Sequence, residues 1–249
     1  MMREARSTGP KGAGPYPVPA CLLALLLVFV AAPAWGDEPP GKPLTTGSGS
    51  DTEKVNEAMD ELHCAVDSMD PSDPNRKKAE KALDAALKAL KGKKDPTTGQ
   101  YESRMRKQTL TKKGHDAFTS IENDDGKNVS GTEEVGAGNE YVVLGDHWLT
   151  GSALKAGLAG LLAHEGMRLT QKYNYPRKNQ SFDDKCGIVN RALDAWGLQI
   201  AVLEALSAKE TDPDEKKKID DRIKDANKAK DSWQQNKDAL NQMQPGGCK

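Results

Sequence analysis

The feature that most constrains this fold is a short strand followed closely by an apolar helix. The strand, EYVVL over residues 140–144, is rich in β-branched side chains. The helix is predicted from near Ser152 to about Tyr173 and contains LAGLLAHEGMRLTQ. Residues four apart lie on the same face of a helix, so His164 and the residue at position 168 point the same way. Two side chains placed like this could bind one metal ion between them. Glu165 is offset by one residue and could polarise water bound to that metal.

Most of the remaining chain is predicted to be helical. Residues 52–91 read as a helical hairpin, because apolar residues recur at helical spacing on both sides of Asp70-Pro71. Another helix starts near Asp183, and Asp212-Pro213 begins a charged C-terminal helix and tail over residues 211–249. The predicted fold class is mainly α (α+β): a helical domain with one small strand element before the apolar helix.

Residues 1–36 have the features of a secretory signal peptide. A basic flank precedes a short apolar run from Cys21 to Ala32, which small residues follow. The run is too short to span a bilayer comfortably, so we expect no stable membrane anchor after cleavage. Residues 37–51 are rich in Pro, Gly and Ser and are predicted to be a disordered linker. These features predict a secreted or periplasmic protein.

Export changes the interpretation of the cysteines. The mature chain keeps Cys64, Cys186 and Cys248, an odd number for an oxidising compartment. One disulfide and one free thiol is the simple expectation. The favoured pair is Cys64–Cys186, which would join two helical segments and leave Cys248 in the tail. No two of these cysteines are closely spaced, which disfavours a zinc–cysteine site.

The charge of the chain gives no general attraction to nucleic acid or to anionic lipid. The sequence has 36 basic and 37 acidic side chains, for a formal net charge of −1. Lysine-rich segments occur at 77–94 and 216–230, but acids alternate with the lysines there. We interpret both segments as solvated helix faces and expect no nucleic-acid partner.

The strand and helix resemble the core of zincin-type metallopeptidases. EYVVLGDHWL followed by ALKAGLAGLLAHEGMRLTQ is similar to families that place an edge strand before a helix with the motif H-E-x-x-H. In the gluzincin type a third, acidic ligand comes from the next helix, and here that segment reads NRALDAWGLQI. The resemblance implies a zincin-like core over residues 92–210. It assigns His164 as the first metal ligand, Glu165 as the general base and Asp194 as the third ligand.

Arg168 stands where this motif has its second histidine. A guanidinium is permanently protonated and has no lone pair for zinc, so the motif is degenerate. We expect a bidentate Arg168–Asp194 salt bridge in place of the metal. Alternatively, His147 could complete a zinc site with His164 and Asp194. The plainer interpretation is that His164 is a hydrogen-bonded histidine of a half-buried helix and that His147 has a packing or capping role.

Three functions remain open at this point. The first is a secreted or periplasmic zincin-like homologue that lacks catalysis and a cofactor and binds a peptide or protein in the former substrate cleft. The second is an active zinc-dependent metallopeptidase that uses a modified ligand set, with Glu165 as base. The third is a helical exported interaction protein unrelated to zincins, with Trp233 and the C-terminal helix as its surface. Whether the chain is an enzyme therefore stays undecided, and the first function is favoured.

Overall fold

A computed structural model describes residues 42–44, 50–94, 96–108, 117–121, 140–149, 154–171, 180–244 and 246–248. The predicted signal peptide and ten of the fifteen residues of the predicted linker lie outside these residues. Linker residues 42–43 form a strand and residues 50–51 begin a helix, so the prediction of disorder is wrong for them. The described residues all belong to one compact unit, Trp35–Lys249. The helices are α1 (Ser50–Ser68), α2 (Pro74–Lys91), α3 (Asp146–Leu149), α4 (Lys155–Thr170), α5 (Phe182–Lys209) and α6 (Pro213–Met243). The strands are β1 (Lys42–Pro43), β2 (Lys93–Lys94), β3 (Tyr101–Glu102), β4 (Met105–Gln108), β5 (Ala117–Ile121) and β6 (Glu140–Gly145).

The predicted fold class, mainly α with a small strand element, is confirmed, although that element has more than one strand. Four strands form a sheet in the order β1-β4-β6-β5, and β2 pairs with β3 separately. Strand β6 runs parallel to β4 and antiparallel to β5. It is therefore an interior strand, whereas the zincin resemblance implies an edge strand before the helix. Its side chains are buried from Tyr141 to Leu144, as its β-branched composition predicts.

Local capping residues explain where the long helices begin. Asp73 accepts a hydrogen bond from the Asn75 backbone and precedes Pro74, the first residue of α2. Ser181 and Asp184 form a capping box at the start of α5. Asp212 caps α6 in the same way, ahead of Pro213. The starts of α5 and α6 agree with the starts predicted from the sequence, near Asp183 and at Asp212-Pro213.

Helix α4 is the centre of the core. Every residue from Ala156 to Met167 is buried, and the helix packs against α1, α2, α5 and strand β5. Two glycines permit this close packing. A Cβ atom at Gly166 would collide with the backbone carbonyl of Ala82 on α2, and one at Gly160 would lie 2.9 Å from Cγ of Leu203 on α5. The α2 backbone therefore approaches α4 directly at Gly166, and the Leu203 side chain of α5 packs onto the α4 backbone at Gly160.

The predicted Cys64–Cys186 disulfide is wrong. Cys186 is bonded to Cys248, and Cys64 is free and exposed. Lys209, at the C-terminal end of α5, donates a hydrogen bond to the Cys64 carbonyl, so Cys64 lies at that end of the helix. Cys186 is near the other end, about 35 Å away at the rise of an α-helix. Because the chain returns along α6, its C-terminus reaches the start of α5, where the disulfide forms.

A small second cluster lies beside this disulfide. Cys186, Val189 and Leu240 form its buried part, and Trp233 packs against it. Trp233, predicted as an interaction surface, is thus partly buried between α5 and α6. No helix in the described part of the chain is both long and apolar enough to cross a membrane.

Alanine substitutions at two helical glycines should change stability in opposite directions. Gly166→Ala forces α2 away from α4, so we expect a loss of about 1–3 kcal/mol or more, the usual cost of overpacking a core. Gly197→Ala on α5 meets no atom within 4 Å, and better helix propensity should raise stability by about 0.5–1 kcal/mol. Urea denaturation measures both free energies of unfolding. Equal changes in the two variants would contradict the close approach of α2 to α4.

Candidate functional site

Helix α4 holds His164 and Glu165 in the protein interior. Their exposed fractions are 5 % and 2 %, and Nε2 of His164 lies 4.0 Å from Oε1 of Glu165. Helix α2 packs against α4 two residues after His164, where Gly166 meets the Ala82 backbone. The residues predicted as first metal ligand and general base are therefore enclosed by helices.

Helix α5 supplies the side chains that lie against His164. The Trp196 ring meets the imidazole edge-on, with 4.5 Å between ring centroids. Gln199 is three residues further on, on the same face of α5, and also interacts with the imidazole. This approach does not form a well-aligned hydrogen bond, because Nδ1 of His164 and Oε1 of Gln199 are both buried without a hydrogen-bond partner in the described part of the chain. Gln199 was not predicted from the sequence as a site residue, although a glutamine on the apolar stripe of α5 was a usable signal.

Burial keeps His164 neutral. Desolvation lowers the pKa of His164 to about 4, and the positive charge of Arg168 acts in the same direction. The Glu165 carboxylate and the Gln199 contact both raise the pKa, but they do not offset the loss of solvent. At neutral pH the imidazole is an uncharged core side chain. The plainer interpretation expected a hydrogen-bonded histidine on a half-buried helix, whereas this ring is buried and its Nδ1 has no hydrogen-bond partner among the described residues.

Asp194 lies on a different face of α5 from the residues that contact His164. It precedes Trp196 by two residues, which is about 200° around a helix. Its carboxylate is exposed and accepts a hydrogen bond from Nζ of Lys78 at 2.8 Å. Asp194 thus links α5 to α2 at the surface, while the predicted Arg168–Asp194 salt bridge stays a prediction. An ion pair this exposed contributes about 0–1 kcal/mol to stability.

His147 is distant from His164. It is exposed on α3, and its ring lies 5.5 Å from the ring of Trp148. The Trp148 ring lies against Gly157 of α4. Gly157 is seven residues before His164, which is about 10 Å along the helix. Among the described residues, no three His, Cys, Asp or Glu side chains are grouped so that they could hold a metal ion.

Two adjoining clefts lie beside the N-terminal half of α6. One, of about 320 Å³, runs between α3 and α6 and is lined by His147, Trp148 and Arg222 among others. The second, of about 480 Å³, lies where α1, α4, α5 and α6 meet. Leu154 and Lys218 line both clefts. We call the two together the α6 groove; its walls mix aliphatic, acidic and basic side chains.

Comparison with known proteins identifies no relative. No protein-family model, no curated protein and no solved structure matches this chain. The function is therefore argued from the geometry of these residues.

The buried histidine should make stability fall in mild acid. The unfolded chain binds a proton at the ordinary histidine pKa of 6.5, and the folded chain binds it only at about 4. The free energy of unfolding is therefore unaffected by protonation of His164 above pH 6.5. Between pH 6.5 and pH 4 it falls, by about 3 kcal/mol in total, because only the unfolded chain binds the proton in that range. His164→Gln should remove this part of the pH dependence in urea denaturation.

His63→Gln is the matched control for this measurement. His63 is exposed on α1, with Asp67 as a neighbour at 3.7 Å. Its replacement should leave the slope of stability against pH close to that of the wild type. If the wild type and His164→Gln lose stability in parallel between pH 6.5 and 4, the imidazole is not buried as described.

Proposed function

We propose that this chain is an exported, non-catalytic protein with a degenerate zincin-like helix, and that it binds a peptide or protein. The observation that carries the proposal is the burial of His164 and Glu165 of α4 in the helical core, with Trp196 of α5 packed against the imidazole. A catalytic metal site keeps one coordination position open to water and substrate. Here an aromatic ring covers the imidazole, and Arg168 occupies the second ligand position without an electron pair to donate.

Export is supported by the chemistry of the cysteines. The Cys186–Cys248 disulfide ties the start of α5 to the tail after α6. Disulfides persist mainly in oxidising compartments such as the periplasm or the cell exterior. A secreted or periplasmic location therefore agrees with the predicted signal peptide over residues 1–36.

The α6 groove is the surface we assign to the bound peptide or protein. Enclosed, mainly apolar cavities are typical of small-molecule sites, whereas the two clefts of this groove are open to solvent and lined by both charged and apolar side chains. The face of Trp148 carries the guanidinium of Arg222, with 4.8 Å between Cζ and the ring centroid. Arginine side chains are enriched among residues that dominate protein interfaces, and Arg222 lines this groove, stacked on the buried Trp148. The groove lies away from His164, so binding there does not require the former metal-site helix to open.

The zincin-like origin of α4 can be tested by restoring the missing ligand. Arg168→His places two histidines one turn apart on α4 and removes a positive charge next to His164. We expect this variant to bind zinc more tightly than the wild type, measured by calorimetry and by metal analysis of the purified protein. The control is His164→Gln in the same Arg168→His background, which should bind no zinc. Equal zinc binding by the two variants would remove the support for a lapsed metal site.

Binding can be tested with peptides selected on the immobilised protein from a random library. Lys218→Glu reverses a charge shared by both clefts of the groove, and we expect it to weaken the selected peptides at least tenfold. Lys217→Glu is the matched control, because Lys217 is also exposed on α6 but does not line the groove. Fluorescence anisotropy measures both affinities. Zinc-dependent cleavage of the peptides, or equal effects of the two substitutions, would contradict the proposal.

A further inference from the structure

Charge is strongly segregated between the first two helices. Residues 74–94, which contain α2 and β2, carry eight basic and two acidic side chains, a net charge of +6. Residues 50–68, which form α1, carry one basic and six acidic side chains, a net charge of −5. The whole chain has a net charge of only −1. The lysine-rich segment 77–94, interpreted from the sequence as a balanced solvated face, is therefore strongly basic.

The lysines of this segment form one continuous exposed surface. Positions 77, 81, 88 and 91 are three, four or seven residues apart, so they form a single stripe along α2. Lys94 extends the stripe into β2, where it is also exposed. We call this surface the basic face; it consists of Lys77, Lys81, Lys88, Lys91 and Lys94.

The acids of α2 neutralise only a small part of the basic face. Asp84 pairs with Lys88 at 2.6 Å, and Glu80 pairs with Arg76 at 3.2 Å. In the described part of the chain, no carboxylate lies within ion-pairing distance of Lys77, Lys81 or Lys94. Helix α6 provides a contrast, because its lysines at 218, 224 and 228 each pair with an acid three residues earlier.

Two exposed apolar side chains border the basic face. Leu87 is 45 % exposed and precedes Lys91 by one turn of α2, and Tyr101 on β3 is 48 % exposed. Nζ of Lys91 lies 5.5 Å from the centroid of the Tyr101 ring. Tyrosine is enriched at membrane–water interfaces, and lysine reaches from an apolar stem to charged headgroups. The surface thus combines unpaired positive charge with side chains suited to a lipid headgroup region.

We infer that the basic face binds reversibly to a membrane surface rich in anionic phospholipid. Each lysine near such a surface contributes about fivefold to the partition coefficient, equivalent to about 1 kcal/mol. A few unpaired lysines with two partly inserted side chains give weak, salt-sensitive attachment and no permanent anchor. This site is separate from the α6 groove and does not depend on the function proposed for it.

The inference is tested by sedimentation of residues 37–249 with vesicles of phosphatidylcholine, with or without phosphatidylglycerol. The apolar segment before residue 37 is omitted because it would itself enter lipid. We expect binding only to the vesicles with phosphatidylglycerol, and loss of that binding in high salt. Replacing Lys77, Lys81 and Lys91 together with Gln should lower the partition coefficient about a hundredfold.

Two further variants make the result specific to this face. Replacing Lys217, Lys224 and Lys228 of α6 with Gln removes the same charge from a balanced helix and should change partitioning less than threefold. Arg at positions 77, 81 and 91 keeps the charge and should retain binding. Circular dichroism checks the folding of each variant; if the triple Gln variant is unfolded, the double Lys77→Gln, Lys81→Gln variant replaces it, with an expected loss of about twenty-fivefold.

Four results with the vesicles would each overturn the inference. These are no sedimentation with phosphatidylglycerol, equal binding to phosphatidylcholine alone, equal losses in the two triple Gln variants, and loss of binding in the Arg variant. Tighter binding of soluble polyglutamate than of the vesicles would also overturn it, and would identify the basic face as a docking surface for acidic protein.

Discussion

The close packing of α4 against three other helices is the constraint on which the rest of the structure depends. A helix buried along most of its length needs neighbours on every side, and here α1, α2 and α5 provide them. The approach is limited by backbone contact at Gly166 and by Leu203 at Gly160, so glycine is required at both positions. Once α2 and α5 are fixed in this way, the side chains of α4 have no freedom to face solvent.

This packing determines the chemistry of His164 and Glu165. A carboxylate and an imidazole would act as base and ligand in an open cleft, but a closed helical interface removes the water that such chemistry uses. The same enclosure keeps the imidazole neutral and brings Trp196 and Gln199 into contact with it. The identity of the residues is compatible with catalysis, and their environment argues against it.

Helix starts are local features and could be predicted from the sequence. Which face of a helix meets its neighbour could not be predicted, because it depends on the rotation of each helix about its own axis in the packed core. The Asp212-Pro213 motif located the start of α6, because Asp212 caps that helix through residues two and three positions away. Asp73 and Ser181 cap α2 and α5 in the same local way, although they were not identified from the sequence. The side of α5 that faces α4 is set by long-range packing. The motif therefore suggested Asp194 as a partner of His164, while the structure places Trp196 and Gln199 there. The disulfide was mispredicted for a related reason: which ends of α5 and α6 meet is a property of the fold.

The charge distribution on the surface also could not be predicted from the overall composition of the sequence. A net charge of −1 and alternating lysines and acids suggested neutral, solvated helix faces. Ion pairing on a helix depends on acids three or four residues away, however, and α6 has them where much of α2 does not. Two lysine-rich helices in one chain therefore differ physically: α6 is nearly neutral along its surface, and α2 carries uncompensated charge beside the acidic α1. Such separation keeps the total charge small while leaving one surface able to attract anions, which composition alone cannot reveal.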